Sequence, residues 1–145
     1  TAEDFALSHP SGSLGKRLLL RVSDVMHCGN AVPMVASSAK LRAGLEEMSR
    51  KGLGMTAVVD DAQQLLGVFT DGDLRRALDR GVDVHTAPMA EVMHRDCKVI
   101  ESGLLAAEAV RIMEEHKISG LLVTDKDGLL VGALNIHDLF RAGIV

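Results

Sequence analysis

Displaced by 65 residues, the sequence falls on itself. Met48 lands on Met113, Val58 on Val123, Asp60 on Asp125, Gly67 on Gly132, Asp73 on Asp138, Leu74 on Leu139 and Arg76 on Arg141. Upstream the offset is 67, where SDVM (Ser23 to Met26) echoes AEVM (Ala90 to Met93). Agreement in order, spacing and residue type at so many positions marks an internal repeat. A unit of roughly 60 residues buries too little surface to stand alone. Two copies packed sheet to sheet, sharing one core, are therefore expected.

Each copy reads as a β-α-β-β-α unit, so the expected class is α+β with two pseudo-symmetric repeats. In the first, AVPMV is a short strand and a helix runs near Ala39 to Lys51. Its Leu41, Leu45 and Met48 fall on one helical face, and Ser38 is the expected N-cap. MTAVVD and LLGVFT are β-rich runs around the turn DAQQ, and a helix from about Asp71 to Arg80 ends at Gly81. In the second, KVIE is a strand, Leu105 to His116 a helix, GLLVT and LLVGALN a hairpin around DKDG, and Ile136 to Arg141 a final helix. The boundaries are 22–82 for the first repeat and 83–145 for the second, with 1–21 ahead of them.

Composition removes several classes of function. The formal net charge is −4, without the basic face of a nucleic-acid binder. Three Phe, no Tyr and no Trp leave no stacking platform for single strands. No apolar run reaches the roughly 18 residues of a membrane span, and no signal peptide opens the chain. Cys28 and Cys97 fit neither a zinc nor a disulfide framework, which suits a reducing cytoplasm. The opening TAEDFALSHP reads as though cut from something longer.

The chemistry concentrates in TDGD, Thr70 to Asp73. Thr-x-x-Asp is a helix capping box: the Thr70 hydroxyl accepts from the Asp73 N–H while the Asp73 carboxylate accepts from the Thr70 N–H. NIHD repeats it with Asn135 and Asp138, Asn being an equally good cap. Both boxes could simply start helices. Both also follow a strand directly, which leaves free N–H groups for an anion and a carboxylate for a ribose diol. Gly67 and Gly132, three residues before each cap, would let a ligand approach the backbone. Asp71 and Asp73 do not face each other at i and i+2, so no metal site is expected, and Asp71 is a solvated first-turn residue. SGSLGK lacks phosphate-loop spacing; Gly12 and Gly15 read as turn residues. His27, His85, His94 and His116 share no ligand spacing and read as solvated, while Met26, Met48, Met55, Met93 and Met113 read as core.

The repeat, the Gly-x-x-Thr-x-x-Asp of GVFTDGD and the DVM lead-in resemble a tandem pair of CBS domains, a Bateman module, over Val22 to Val145. The resemblance implies a nucleotide held by Thr70 and Asp73, with Asn135 and Asp138 at a pseudo-symmetric site that departs from the pattern, having Asn for Thr and His137 crowding the cap. TAEDFALSHPSGSLGKRLLLRVSDVM and the closing HDLFRAGIV narrow the match. They resemble the D-arabinose 5-phosphate isomerases of the lipopolysaccharide and capsule pathways, whose sugar-isomerase (SIS) domain precedes the CBS pair. Residues 1–21 would then be the tail of the SIS domain and a linker. His9, in the SHP segment, would be catalytic only when the missing SIS domain is present.

The resemblance implies a cytoplasmic regulatory module of a Kdo-pathway isomerase, with an adenine nucleotide or CMP-Kdo in the cleft between the repeats and no cofactor for chemistry. The rival expectation is a ligand-free structural module that only holds the isomerase oligomer together. A free-standing enzyme fits poorly, since the repeats carry no nucleophile–base–orienter set. Self-association is expected in either case, because Leu74, Leu78, Leu139 and Phe140 need covering.

Overall fold

The computed structural model describes residues 13–145. Helices α1 (Ser13–Leu19) and α2 (Val22–Val25) lead into strand β1 (Met34–Ala36), helix α3 (Leu41–Lys51), strands β2 (Met55–Val59) and β3 (Leu65–Thr70) and helix α4 (Asp71–Asp79). The second copy runs α5 (Met89–Val92), β4 (Val99–Glu101), α6 (Ala106–His116), β5 (Gly120–Thr124), β6 (Leu130–Asn135) and α7 (Ile136–Arg141). The fold is α+β, with two three-stranded sheets ordered β1-β2-β3 and β4-β5-β6. In each, the first pair is parallel and the second antiparallel.

The repeat survives in fine detail. Ala57 faces Val68 as Leu122 faces Ala133, and both hairpins slip register after Val58 and Val123. The matched Asp60 and Asp125 explain the turns. Each carboxylate accepts two backbone N–H groups, from Ala62 and Gln64 and from Asp127 and Leu129, as Asx turns do. The tightest residue is left-handed in both, with φ of 61° at Gln63 and 83° at Gly128.

Compact units and sequence repeats are different partitions of the chain. One unit is Cys28–Lys98; the other joins the described residues through His27 to Val99–Val145. The lead-in segments are thus exchanged: α2 packs in the unit of the second sheet and α5 in the unit of the first. Backbone pairing carries the exchange. His27 and Ala133 trade N–H to C=O bonds in both directions at 2.8 and 3.0 Å, and His94 and Val68 do the same at 2.8 and 2.9 Å. The contiguous division 22–82 and 83–145 describes the duplication, not these units.

The exchange also decides the helix starts. The expected Ser38 cap is not used: α3 begins after Lys40 with no side-chain cap. Its N–H groups at Leu41 and Arg42 donate instead to the carbonyls of Ala87 and Val84, from the lead-in to α5. Tertiary backbone has replaced a local cap. The strand expected over AVPMV is shorter too, because Gly29–Ala31 form a 3-10 turn and pairing starts at Met34, after Pro33. Gly15, expected in a turn, lies inside α1.

Each unit has its own core. In the first, Leu41, Val58, Phe69, Ala77 and Met89 are buried together; in the second, Val22, Leu121, Val123, Leu134 and Leu139 are. Leu139 therefore needs no partner chain, contrary to expectation, whereas Leu78 and Phe140 are more than half exposed.

Gly67 and Gly132 serve the lead-in segments. A Cβ on Gly67 would meet Met93 Sδ at 2.7 Å and the His94 carbonyl at 2.9 Å. On Gly132 it would lie 3.0 Å from the His27 carbonyl and inside the Met26 sulfur. On the side a Cβ would occupy, the close approach is by the protein's own chain. Gly67→Ala should push on a carbonyl pinned by two hydrogen bonds. We expect a loss of about 1–3 kcal/mol, as for other overpacked cores, and a thermal midpoint lower by about 2–4 °C per kcal/mol, read by calorimetry.

Candidate functional site

Thr70 ends β3, and the chain turns straight into α4. Thr70 keeps extended backbone, with φ −125° and ψ 174°, and the reciprocal capping box forms. The Thr70 N–H donates to Asp73 Oδ2 at 3.0 Å, and the Thr70 hydroxyl donates to the same oxygen at 3.1 Å. That hydroxyl also accepts from the Asp73 N–H at 3.4 Å. The other carboxylate oxygen accepts from Arg76 Nη2 at 2.7 Å. Asp73 is only 6% exposed, yet all of these donors come from its own helix turn. Asp71 is exposed, as expected.

Asn135, at the end of β6, repeats the box. Its side-chain oxygen accepts from the N–H groups of His137 and Asp138, and Asp138 Oδ2 accepts from the Asn135 N–H at 2.8 Å. Arg141 donates to Oδ1 as Arg76 does to Asp73. Here a further donor arrives. His27 Nε2 lies 2.8 Å from Asp138 Oδ1, across 111 residues of sequence. A carboxylate has no proton to give, so the imidazole N–H donates. His27 was expected to be solvated; it is half-buried and paired. The signal lay in the repeated VMH of the two lead-in segments, residues 25–27 and 92–94; among the described residues only the first histidine finds a carboxylate. The arginines were equally legible, since Arg76 and Arg141 occupy matched positions three residues after the aspartates.

The sites also differ in their neighbours. Cys97, half-buried, donates its thiol weakly to the His94 carbonyl. Burial, with the carboxylates of Asp96 and Asp73 nearby, pushes its thiol up. His137 points toward Phe140, ring centroids 6.3 Å apart. Among the described residues no group of three or more His, Cys, Asp and Glu could hold a metal, and no helix is long and apolar enough to cross a membrane. His9 lies outside the described residues.

Paired strand-to-helix capping boxes on duplicated three-stranded sheets agree with what family comparison finds. The CBS domain matches residues 22–80 and 89–144. The chain belongs to the CBS domain family. Over all 145 residues it is 57% identical to "Arabinose 5-phosphate isomerase KdsD" of Pseudomonas aeruginosa and 52% identical to that of Escherichia coli K12. It spans 44% of the length of each, less than half. Among solved structures, CBSX2 in complex with AMP matches with a TM-score of 0.72 at 27% identity, over 86% of this chain and 96% of that one. The putative acetoin utilization protein AcuB of Vibrio cholerae matches with a TM-score of 0.76 at 26% identity, over 88% and 92%.

The two carboxylates of this CBS pair should differ in their contribution to stability. Asp73→Ala removes a local cap, a loss of about 1 kcal/mol; its arginine partner is exposed and adds little. Asp138→Ala also breaks the bond to His27, and hydrogen bonds to charged groups contribute about 1.5–3 kcal/mol. Urea unfolding followed by circular dichroism should therefore show the lower midpoint for Asp138→Ala.

Proposed function

We propose that this chain is the regulatory CBS pair of a cytoplasmic arabinose 5-phosphate isomerase, and that it senses a nucleotide at Thr70 and Asp73. The observation that carries the ligand reading is the Asp73 carboxylate. Among the described residues it is held at a strand end by donors from its own turn alone, and one of these is a mostly exposed arginine. Swinging Arg76 into solvent would free one oxygen for the hydroxyls of a ribose, while the N–H groups at the start of α4 face the phosphate. The AMP complex of CBSX2, a relative in fold at 27% identity, supports an adenine nucleotide as the first candidate. CMP-Kdo is the second, since feedback by the end product on an early step of Kdo synthesis needs a sensor. The isomerase interconverts D-ribulose 5-phosphate and D-arabinose 5-phosphate, and the SIS domain that does so would precede this chain. The 57% identity to KdsD supports that assignment.

Calorimetric titration with AMP, CMP and CMP-Kdo tests the sensing. Asp73→Ala should lose affinity by about 1.5–3 kcal/mol, the contribution of a hydrogen bond to a charged group, while Asp138→Ala keeps it. Equal affinities for wild type and Asp73→Ala would reduce Thr70 and Asp73 to a helix cap.

A structural module is the second reading, favoured by the exposed Leu78 on α4 and Phe140 on α7. Apolar side chains left more than half open on two helices suit contact with other copies, so the pair could hold isomerase subunits together without any ligand. No heat and no thermal shift with any of the three nucleotides would favour it.

His9 belongs to the isomerase half of the proposal. Aldose–ketose isomerisation moves protons between neighbouring carbons and oxygens, and a histidine titrates near working pH. In the full-length enzyme, His9→Ala should lower turnover by about 10²-fold or more, the scale of a general acid/base. Unchanged turnover would make it a linker residue.

A further inference from the structure

We propose that His27 is a specificity-determining residue that commits the second carboxylate to the protein itself, so that ligand is taken at Asp73 and refused at Asp138. This rests on Thr70 and Asp73 being the nucleotide site.

The two carboxylates hold their donors differently. Among the described residues, Asp73 Oδ1 accepts only from Arg76, whose side chain is 64% exposed and can turn away within its own helix. At Asp138, Oδ1 accepts from both Arg141 and His27. The arginines are matched and equally solvent-facing, so they cannot distinguish the sites. The histidine can.

His27 is not free to follow a ligand's demand. Its own N–H and C=O are both bonded to Ala133, and Met26 beside it is seated on Gly132, where even a Cβ would not fit. The main chain is therefore fixed, and only rotation of the imidazole could release Asp138. Rotation would leave a carboxylate that is 5% exposed without its long-range donor, and an under-satisfied buried charge is costly. A ribose diol would have to offset that loss before gaining anything.

The counterpart shows what the contact changes. His94 has the same backbone pairing, to Val68, and the same preceding methionine on a glycine. Its side chain is exposed, and the Asp73 carboxylate is bonded by Thr70 and Arg76 instead. Two backbones superimposable in pattern thus differ in one imidazole placement. Asn135 in place of threonine does not account for the difference, since its side chain completes the cap with two N–H groups.

Calorimetric titration of AMP into the 145-residue chain, with four variants, tests this. Wild type should bind one AMP per chain; Asp73→Asn should weaken it at least tenfold, and Asp138→Asn should leave it within twofold. His27→Ala should acquire a second equivalent, and Asn135→Thr should remain at one. A double-mutant cycle of His27→Ala with Asp138→Asn, read by urea unfolding without ligand, should show coupling of about tenfold in the unfolding constant. Two equivalents in wild type, one equivalent in His27→Ala, or no coupling would each overturn the role of His27 while leaving a nucleotide site at Asp73. If wild type binds no AMP, the nucleotide reading itself falls, and this inference with it. Should Asp138→Asn not fold cooperatively, the stoichiometries of His27→Ala and Asn135→Thr decide the matter alone.

Discussion

The reciprocal backbone bridge between each lead-in segment and the last strand of a sheet organises everything else in this protein. It needs a glycine in the strand, because a methionine and a carbonyl from the incoming segment occupy the space of a side chain. The chain leading into that segment supplies the Val84 and Ala87 carbonyls to the first N–H groups of α3, so that helix begins without a cap of its own. The bridge also brings the histidine of VMH beside the strand that ends in the capping box. One steric requirement thus links a turn of backbone, a helix start and the surroundings of a carboxylate.

What was legible in the sequence follows from this. Strands β3 and β5 and helix α7 lie where periodicity and capping residues place them, because their signals are local. Ser38 misled because the cap that matters there is a carbonyl more than forty residues away, at Val84 or Ala87. Gly67 and Gly132 read as close-approach positions, and a methionine and a carbonyl of the protein itself stand where a Cβ would go. In each case the pattern was right about the constraint and silent about its partner.

His27 is the sharper lesson. A repeat read at matched positions treats its two copies as alike, and here the carboxylates, caps and arginines are alike. The difference between them lies in the contact made by a histidine that the repeat itself shares. No property of either seven-residue motif encodes it. Asp138 acquires a donor from 111 residues away, and only the folded chain brings that donor within 2.8 Å.

The exchange of lead-in segments has a consequence for the order in which the chain can be built. Cys28–Lys98 is contiguous, so everything that unit needs is present once its last residue has been synthesised. The other unit takes its pieces from both sides of that segment, and the pairing of His27 with Ala133 must wait for the later residues. The intervening residues set a loop-closure cost that grows only slowly with length. Vectorial synthesis therefore completes Cys28–Lys98 before the later residues of the other unit exist.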